Sequence, residues 1–131
     1  MNTKTLMTIT SLVLALAGII ALFAPENLST LLNASTTNST FVLVQVLGAV
    51  YFSFALMNWT AKDSAIGGIY ARPVSLGNFS HFFTGTLILA KHLFASEFSL
   101  PVLLITLVYA VFAVIFYWLV FRATGLHQAP R

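Results

Sequence analysis

Histidine and asparagine side chains lie on one face of the third of four apolar runs in this chain. Asn78, His81, Gly85, Ile88 and His92 are separated by steps of three, four, three and four residues. At about 100° per residue in an α-helix, these steps confine the five residues to an arc of about 80°. An imidazole gains or loses a proton near neutral pH, and an amide both donates and accepts hydrogen bonds. The spacing therefore predicts a helix with one polar face and a titratable group near its middle.

Candidate residues come from all four apolar runs and share a depth in the predicted membrane. With a rise of about 1.5 Å per residue, His81 lies about 4 Å and Asn78 about 8 Å to the cytoplasmic side of the midpoint of their run. The same calculation places polar residues of the other three runs in the cytoplasmic half of the membrane. An arginine lies at the cytoplasmic edge of that half. The six candidate ligand-binding residues are His81, Asn78, Asn58, Tyr117, Ser11 and Arg72.

These six residues allow two interpretations. In the first, they form a buried site for a proton, a small polar substrate, or a lipid or quinone head group. His81 would titrate and the asparagines would orient the ligand, because ionisable residues inside a membrane are functional candidates by default. In the second, they are interhelical hydrogen-bonding groups that stabilise the bundle by about 0.6–2 kcal/mol per contact. Asparagine cannot titrate and histidine can stay neutral, so the second interpretation is favoured for His81 and more strongly for Asn58 and Asn78.

Several kinds of chemistry have no support in the sequence. Cysteine is absent, which excludes disulfides, thiolate nucleophiles and iron–sulfur ligation. His81 and His92 lie about 16 Å apart along one helix, too far to share a metal ion held by bonds of about 2 Å. The three carboxylates all fall in connections, so a paired-acid mechanism or an intramembrane carboxylate relay is missing. We therefore predict no metal site and no catalytic residue, and the cofactor is unknown.

Four apolar runs of membrane-spanning length occupy most of the 131 residues. A helix of about 20 residues crosses about 30 Å of hydrocarbon, where every backbone polar group must be bonded internally. Hydrophobic residues are 59% of the chain and charged residues 7%, whereas about a quarter of a soluble domain is charged. The sequence predicts an all-α protein, a four-transmembrane-helix up-down antiparallel bundle that forms a single domain over 1–131. The predicted helices are 5–23, 41–61, 73–94 and 100–121.

Positive charges predict the orientation of these helices. Five of the six lysines and arginines lie on one side of the predicted membrane, namely Lys4, Lys62, Arg72, Arg122 and Arg131. The sixth, Lys91, lies at the opposite end of its helix, where its side chain can extend to the lipid head groups. The positive-inside rule therefore predicts that both termini are cytoplasmic. The predicted location is a bacterial inner membrane.

The two longer connections are predicted to be irregular. The outer one, Glu26–Thr40, is rich in Ser, Thr and Asn and contains three matches to the glycosylation pattern, at Asn27, Asn33 and Asn38. We interpret it as a solvated loop, since the pattern has meaning only in a eukaryotic secretory pathway. The inner one, Lys62–Arg72, is predicted to turn at Gly67-Gly68.

Small residues at helical spacing predict where helices touch. The first run carries Ser11, Ala15 and Gly18, and the second carries Gly48 and Ala55 with Phe52 between them. Such stripes let two helix backbones approach closely in a membrane. A similar stripe on the fourth run consists of Thr106, Ala110, Ala113 and Tyr117.

One segment of the chain resembles a known group of membrane proteins. Gly67-Gly-Ile-Tyr-Ala-Arg-Pro-Val-Ser-Leu-Gly-Asn-Phe-Ser-His81, following Leu56-Met-Asn-Trp59, resembles the small four-helix bacterial integral membrane proteins of unknown function. Its general pattern is similar to DoxX-like proteins and to the four-helix ergosterol-biosynthesis scaffold. The resemblance covers the second and third runs, implies a scaffold-like role, and transfers no site residue.

The sequence thus predicts a small multi-pass membrane protein that acts as an accessory, scaffold or lipid-binding subunit. The alternative is a small homo-oligomeric transporter or channel that uses His81 and its polar neighbours. An intramembrane enzyme ranks third. The expected partners are membrane lipids and a second copy or another membrane protein. Nucleic acid is not expected, because the chain has no basic face or aromatic platform for it.

Overall fold

Every regular element in the described part of the chain is a helix. The computed structural model describes residues 3–32, 34–63, 71–95 and 98–122. Within those ranges the helices are α1 (Thr3–Phe23), α2 (Pro25–Leu31), α3 (Asn38–Ala61), α4 (Ala71–Ala95) and α5 (Leu100–Arg122). The all-α prediction is confirmed. The described ranges hold five helices rather than the four predicted.

The four long helices begin and end within three residues of their predicted bounds. Thr37 caps α3, because its side-chain oxygen accepts a hydrogen bond from the Thr40 N–H at 3.3 Å. Pro73 and Pro101 lie in the first turns of α4 and α5, where a missing N–H removes no helical bond. Residues 64–70 of the predicted inner turn and the segment beyond Arg122 lie outside the described residues.

The outer connection contains a helix that the sequence interpretation missed. Pro25 occupies the first turn of α2 and Glu26 complements its positive end. The Ser29 hydroxyl donates to the Pro25 carbonyl oxygen at 2.8 Å, and α2 packs on α1 and α3. Asn27 therefore lies in α2 and Asn38 begins α3, whereas Asn33 is outside the described residues. A helix of seven residues is too short to show apolar periodicity, so its composition suggested a loop.

The chain divides into two compact units, residues 1–63 and 64–131. The first is built on α1 packed against α3 and the second on α4 packed against α5. Each pair is antiparallel. In the first unit Lys4, near the start of α1, pairs with Asp63, just beyond the end of α3. In the second, Phe79 near the start of α4 contacts Phe121 near the end of α5.

Among the described residues, three helices are long and apolar enough to cross a bilayer, namely α1, α3 and the 22 residues Leu100–Phe121 of α5. This is the composition of a membrane protein. The fourth long helix, α4, has 25 residues but more polar ones, among them Asn78, His81 and Lys91.

The α1–α3 interface is closely packed at two glycines. A Cβ atom built on Gly48 would lie 2.9 Å from the Gly18 carbonyl oxygen, and one built on Gly18 would lie 2.9 Å from the Gly48 oxygen. Two turns away, the Ser11 hydroxyl donates to the Ala55 carbonyl oxygen at 2.8 Å. The predicted contact role of these small residues is confirmed for this helix pair.

Aromatic rings form the centre of the α4–α5 interface. Phe82 is fully buried and stacks on Phe112 and Phe116 of α5, with ring centroids 4.8 and 6.0 Å apart. Large rings therefore fill the centre of this second helix pair.

Candidate functional site

His81 lies beside a tyrosine of α5. Its Nε2 atom is 3.4 Å from the Tyr109 hydroxyl, and the two ring centroids are 5.5 Å apart. Both side chains are half-buried, and the imidazole also makes a T-shaped contact with the Phe82 ring at 5.1 Å between centroids. Either group can donate the hydrogen bond, depending on the imidazole tautomer. At this distance the contact is a weak hydrogen bond between a phenol and an imidazole.

Gly85 makes room for the Tyr109 ring. A Cβ atom at this position would lie 2.5 Å from one ring carbon and 2.6 Å from the next. Because such separations are far below van der Waals contact, any larger residue at Gly85 would displace the ring. The glycine one turn after His81 thus sets the position of the hydroxyl that His81 meets.

The two asparagines are fully buried and bonded to their own helices. The Asn78 side-chain N–H donates to the Val74 carbonyl oxygen at 2.9 Å, and that of Asn58 donates to the Phe54 carbonyl oxygen at 2.8 Å. Both asparagines have further interactions as well. Among the described residues, no buried side-chain nitrogen or oxygen lacks a hydrogen-bond partner. These two bonds lie within α3 and within α4, so they do not join helices, and the choice between the two interpretations stays a prediction for both asparagines.

Ser11 is likewise engaged between helices. It is buried, and its hydroxyl proton is donated to the Ala55 carbonyl of α3. Asn58 lies one turn further along α3 in the same unit. These two candidates belong to the first unit, whereas the other four lie on α4 and α5.

Tyr117 and Arg72 lie on the exposed surface of the second unit. Tyr117 is 49% exposed and its ring contacts Phe79 and Phe121. It is eight residues, or about 12 Å along α5, from Tyr109. Arg72 is exposed in the first turn of α4. The structure therefore places Tyr109, and not Tyr117, beside His81.

The buried face of α5 explains why Tyr109 was missed. The predicted stripe ran through Thr106, Ala113 and Tyr117, but the face that packs on α4 continues from Ala113 to Phe116 and Val120. Tyr109 lies four residues before Ala113, which is about one helical turn, so it belongs to the same face. Alternating steps of four and three residues from Val102 were the available signal, since they describe one face of a helix.

The far part of the polar face of α4 is exposed. Ile88 is 64% exposed and His92 is exposed in the last turns of the helix. Of the five residues predicted to form the polar face, only Asn78, His81 and Gly85 are buried or half-buried. Within the described ranges, no three His, Asp or Glu side chains come close enough to hold a metal ion.

Charges meet at the end of the first unit where α1 begins and α3 ends. The Lys4 ammonium lies 2.7 Å from the Asp63 carboxylate, and this hydrogen bond lowers the pKa of Asp63. The charge of Lys62 lowers the pKa further, and the Lys62 ammonium itself lies 3.1 Å from the centre of the Trp59 ring. A tryptophan and lysines together are typical of the head-group region of a membrane.

No family model matches this chain, and the comparisons with curated proteins and with solved structures found no match. The similarity to DoxX-like proteins and to the ergosterol-biosynthesis scaffold stays a prediction. The function therefore has to be argued from the geometry of the two helical units.

Proposed function

We propose that this protein is a small multi-pass protein of the bacterial inner membrane that acts as an accessory or scaffold subunit. In this proposal α1, α3, α4 and α5 all cross the bilayer as an up-down bundle, and both termini are cytoplasmic. The inclusion of α4 is supported by its length of 25 residues, which gives about 37 Å at 1.5 Å per residue. Its antiparallel packing along α5, itself apolar enough to span, supports the same conclusion.

The observation that carries the scaffold role is the exposure of α3. Of its 24 residues, only Gly48, Ala55 and Asn58 are buried. The other faces carry large apolar side chains, of which Leu43 is 70% exposed. A bilayer could cover such a face, but a helix that is apolar nearly all round also presents the surface that a second transmembrane helix needs. We therefore assign the partner-binding surface to the face of α3 that points away from α1.

Site-specific photocrosslinking in native membranes tests this assignment. A photoreactive phenylalanine analogue at Leu43 or Val50, which are seven residues apart and exposed on the same face of α3, is expected to give a protein adduct of one discrete mass. The matched control is the same analogue at Leu104, exposed on α5, which is expected to react with lipid alone. Protein adducts from Leu104 but not from the α3 positions would show that the partner binds α5, so the assignment to α3 would be wrong. If no exposed position gives a protein adduct, the scaffold role is refuted.

The second candidate is a homo-oligomeric transporter or channel that moves protons. The His81–Tyr109 pair favours it, since an imidazole and a phenol in contact can exchange a proton. In proteoliposomes with an imposed pH gradient, His81→Gln is then expected to fold normally and to lose proton flux, because glutamine keeps hydrogen bonds but cannot titrate. His92→Gln, an exposed histidine on the same helix, is the matched control and should keep the flux. A fully active His81→Gln protein would rule out the proton role.

A further inference from the structure

Four aromatic rings form a continuous cluster on the outer surface of the α4–α5 pair. Phe79 is at its centre, with ring centroids 5.4 Å from Phe83, 5.9 Å from Tyr117 and 5.7 Å from Phe121. Phe83, Tyr117 and Phe121 are 47%, 49% and 53% exposed. We call Phe79, Phe83, Tyr117 and Phe121 the aromatic cluster. It is distinct from the buried rings around Phe82 and plays no part in the contact between His81 and Tyr109.

A positive charge lies at one end of this cluster. Arg72 precedes Phe79 by seven residues, so it lies on the same face of α4, about two turns or 10 Å nearer the helix end. Its side chain is exposed. A cation in the first turn of a helix gains nothing from the helix dipole, whose positive end adds to its own charge. The Arg72 charge and the positive end of the α4 dipole therefore both attract an anion.

Apart from Phe121, which lies one residue from the end of α5, this surface becomes less polar with depth. The arginine lies at the helix end, the Tyr117 phenol follows about 7 Å from the end of α5, and Phe79 and Phe83 lie deeper. Tyrosines typically lie at the head-group level of a bilayer, with the ring in the hydrocarbon and the hydroxyl toward water. A surface that passes from a cation through a hydroxyl to hydrocarbon matches an anionic amphiphile lying along it.

We propose that Arg72 and the aromatic cluster bind an anionic phospholipid. The lipid phosphate pairs with Arg72, the ester region meets the Tyr117 hydroxyl, and the acyl chains lie across Phe79 and Phe83. This inference rests on the proposed membrane location of α4 and α5. It does not depend on the partner-binding role of α3.

Quenching of one tryptophan by brominated lipid tests the proposal. The chain has two tryptophans, so Trp59→Phe leaves Trp118, which is half exposed and adjacent to Tyr117 in α5. The protein is reconstituted in phosphatidylcholine vesicles with an equal, low mole fraction of brominated phosphatidylglycerol or brominated phosphatidylcholine. We expect phosphatidylglycerol to quench Trp118 at least about twofold more strongly, because a basic residue enriches anionic lipid around it.

Three variants locate the effect. In the Trp59→Phe background, Arg72→Gln is expected to equalise the quenching by the two lipids, while Arg72→Lys should keep most of the difference because it keeps the charge. Lys91→Gln removes the same charge at the other end of α4 and should keep the full difference. Far-ultraviolet circular dichroism checks that each variant is folded.

The opposing outcomes separate this inference from the proposed function. Equal quenching by the two lipids in the parent protein overturns the lipid site. An unchanged difference in Arg72→Gln, or its loss in Lys91→Gln, also overturns it, because the preference would then lie elsewhere or be a general charge effect. If neither lipid quenches Trp118, α5 is not in the bilayer, and the proposed membrane location fails together with the site.

Discussion

Replacing Gly48 by alanine tests the packing of the first helix pair at its closest point. The new Cβ atom would lie 2.9 Å from the Ala21 Cβ atom, and 2.9 Å from two backbone atoms, the Gly18 oxygen and the Leu22 nitrogen. Ordinary contact at such a site begins at 3.4 Å. Backbone atoms cannot rotate away, so α1 and α3 must separate by several tenths of an ångström.

The expected cost follows from two opposing effects. Overpacking of a filled interface costs about 1–3 kcal/mol, and exchanging glycine for alanine inside a helix returns up to about 1 kcal/mol. Separation would also stretch the 2.8 Å bond from Ser11 to Ala55, which lies two turns along the interface. We therefore expect Gly48→Ala to lower the free energy of unfolding by about 1–2 kcal/mol.

Unfolding in mixed micelles with increasing dodecyl sulfate, followed by circular dichroism, measures this change. Ala49→Val is the matched control, because Ala49 is the next residue of α3 and is exposed. It adds apolar volume outside the interface and should leave stability within about 0.5 kcal/mol of the parent protein. If Gly48→Ala unfolds at the same denaturant fraction as the parent and the control, the two backbones are not in close contact and the reasoning is refuted.

Three further predictions concern the helix ends, the interface and the orientation. Ser11→Ala removes the interhelical donor and should lower the free energy of unfolding by about 0.6–2 kcal/mol in the same assay, with no loss if that hydrogen bond is absent. The pKa of Asp63 is lowered by Lys4, so the ion pair stabilises the fold at neutral pH and this contribution disappears as the pH falls through the lowered pKa. A thermal scan should show a slightly steeper loss of melting temperature below about pH 4 in the parent than in Asp63→Asn, and equal slopes would contradict the pairing. A reporter that is active only in the cytoplasm should be active when it is fused after Arg131. Activity of a reporter that works only outside the cytoplasm would reverse the proposed orientation.

The long helices could be predicted because their apolar runs have the length that crossing a bilayer requires. Each of the four runs is bounded by polar residues or prolines, and a span of about 20 residues is dictated by the hydrocarbon thickness. Nothing comparable dictated α2, whose seven residues follow from local bonds such as that of Ser29 to Pro25. Local side-chain bonds of this kind also occur in turns, so composition alone cannot distinguish the two.

The candidate site could be predicted only in part, because a face of one helix does not specify the partner on another. The spacing of Asn78, His81 and Gly85 gave the correct covered face of α4. The position of Tyr109 opposite Gly85 depends on the relative register of α4 and α5, which large rings determine by packing. Tyr117 carries the same phenol as Tyr109 and lay on the predicted stripe. The buried face of α5 passes through Phe116 instead, so Tyr117, the next residue, is exposed.

The Gln45 side chain has a consequence for how the chain is assembled during synthesis. Its N–H donates to the Leu22 carbonyl oxygen at 3.1 Å, in the last turn of α1. Together with the contacts at Gly18, Ser11 and Lys4, it joins the two helices at four levels. All of these partners lie within the first 63 residues. The α1–α3 hairpin therefore contains all the contacts that fix the register of its two helices. We expect these helices to pair correctly while the ribosome is still translating α4.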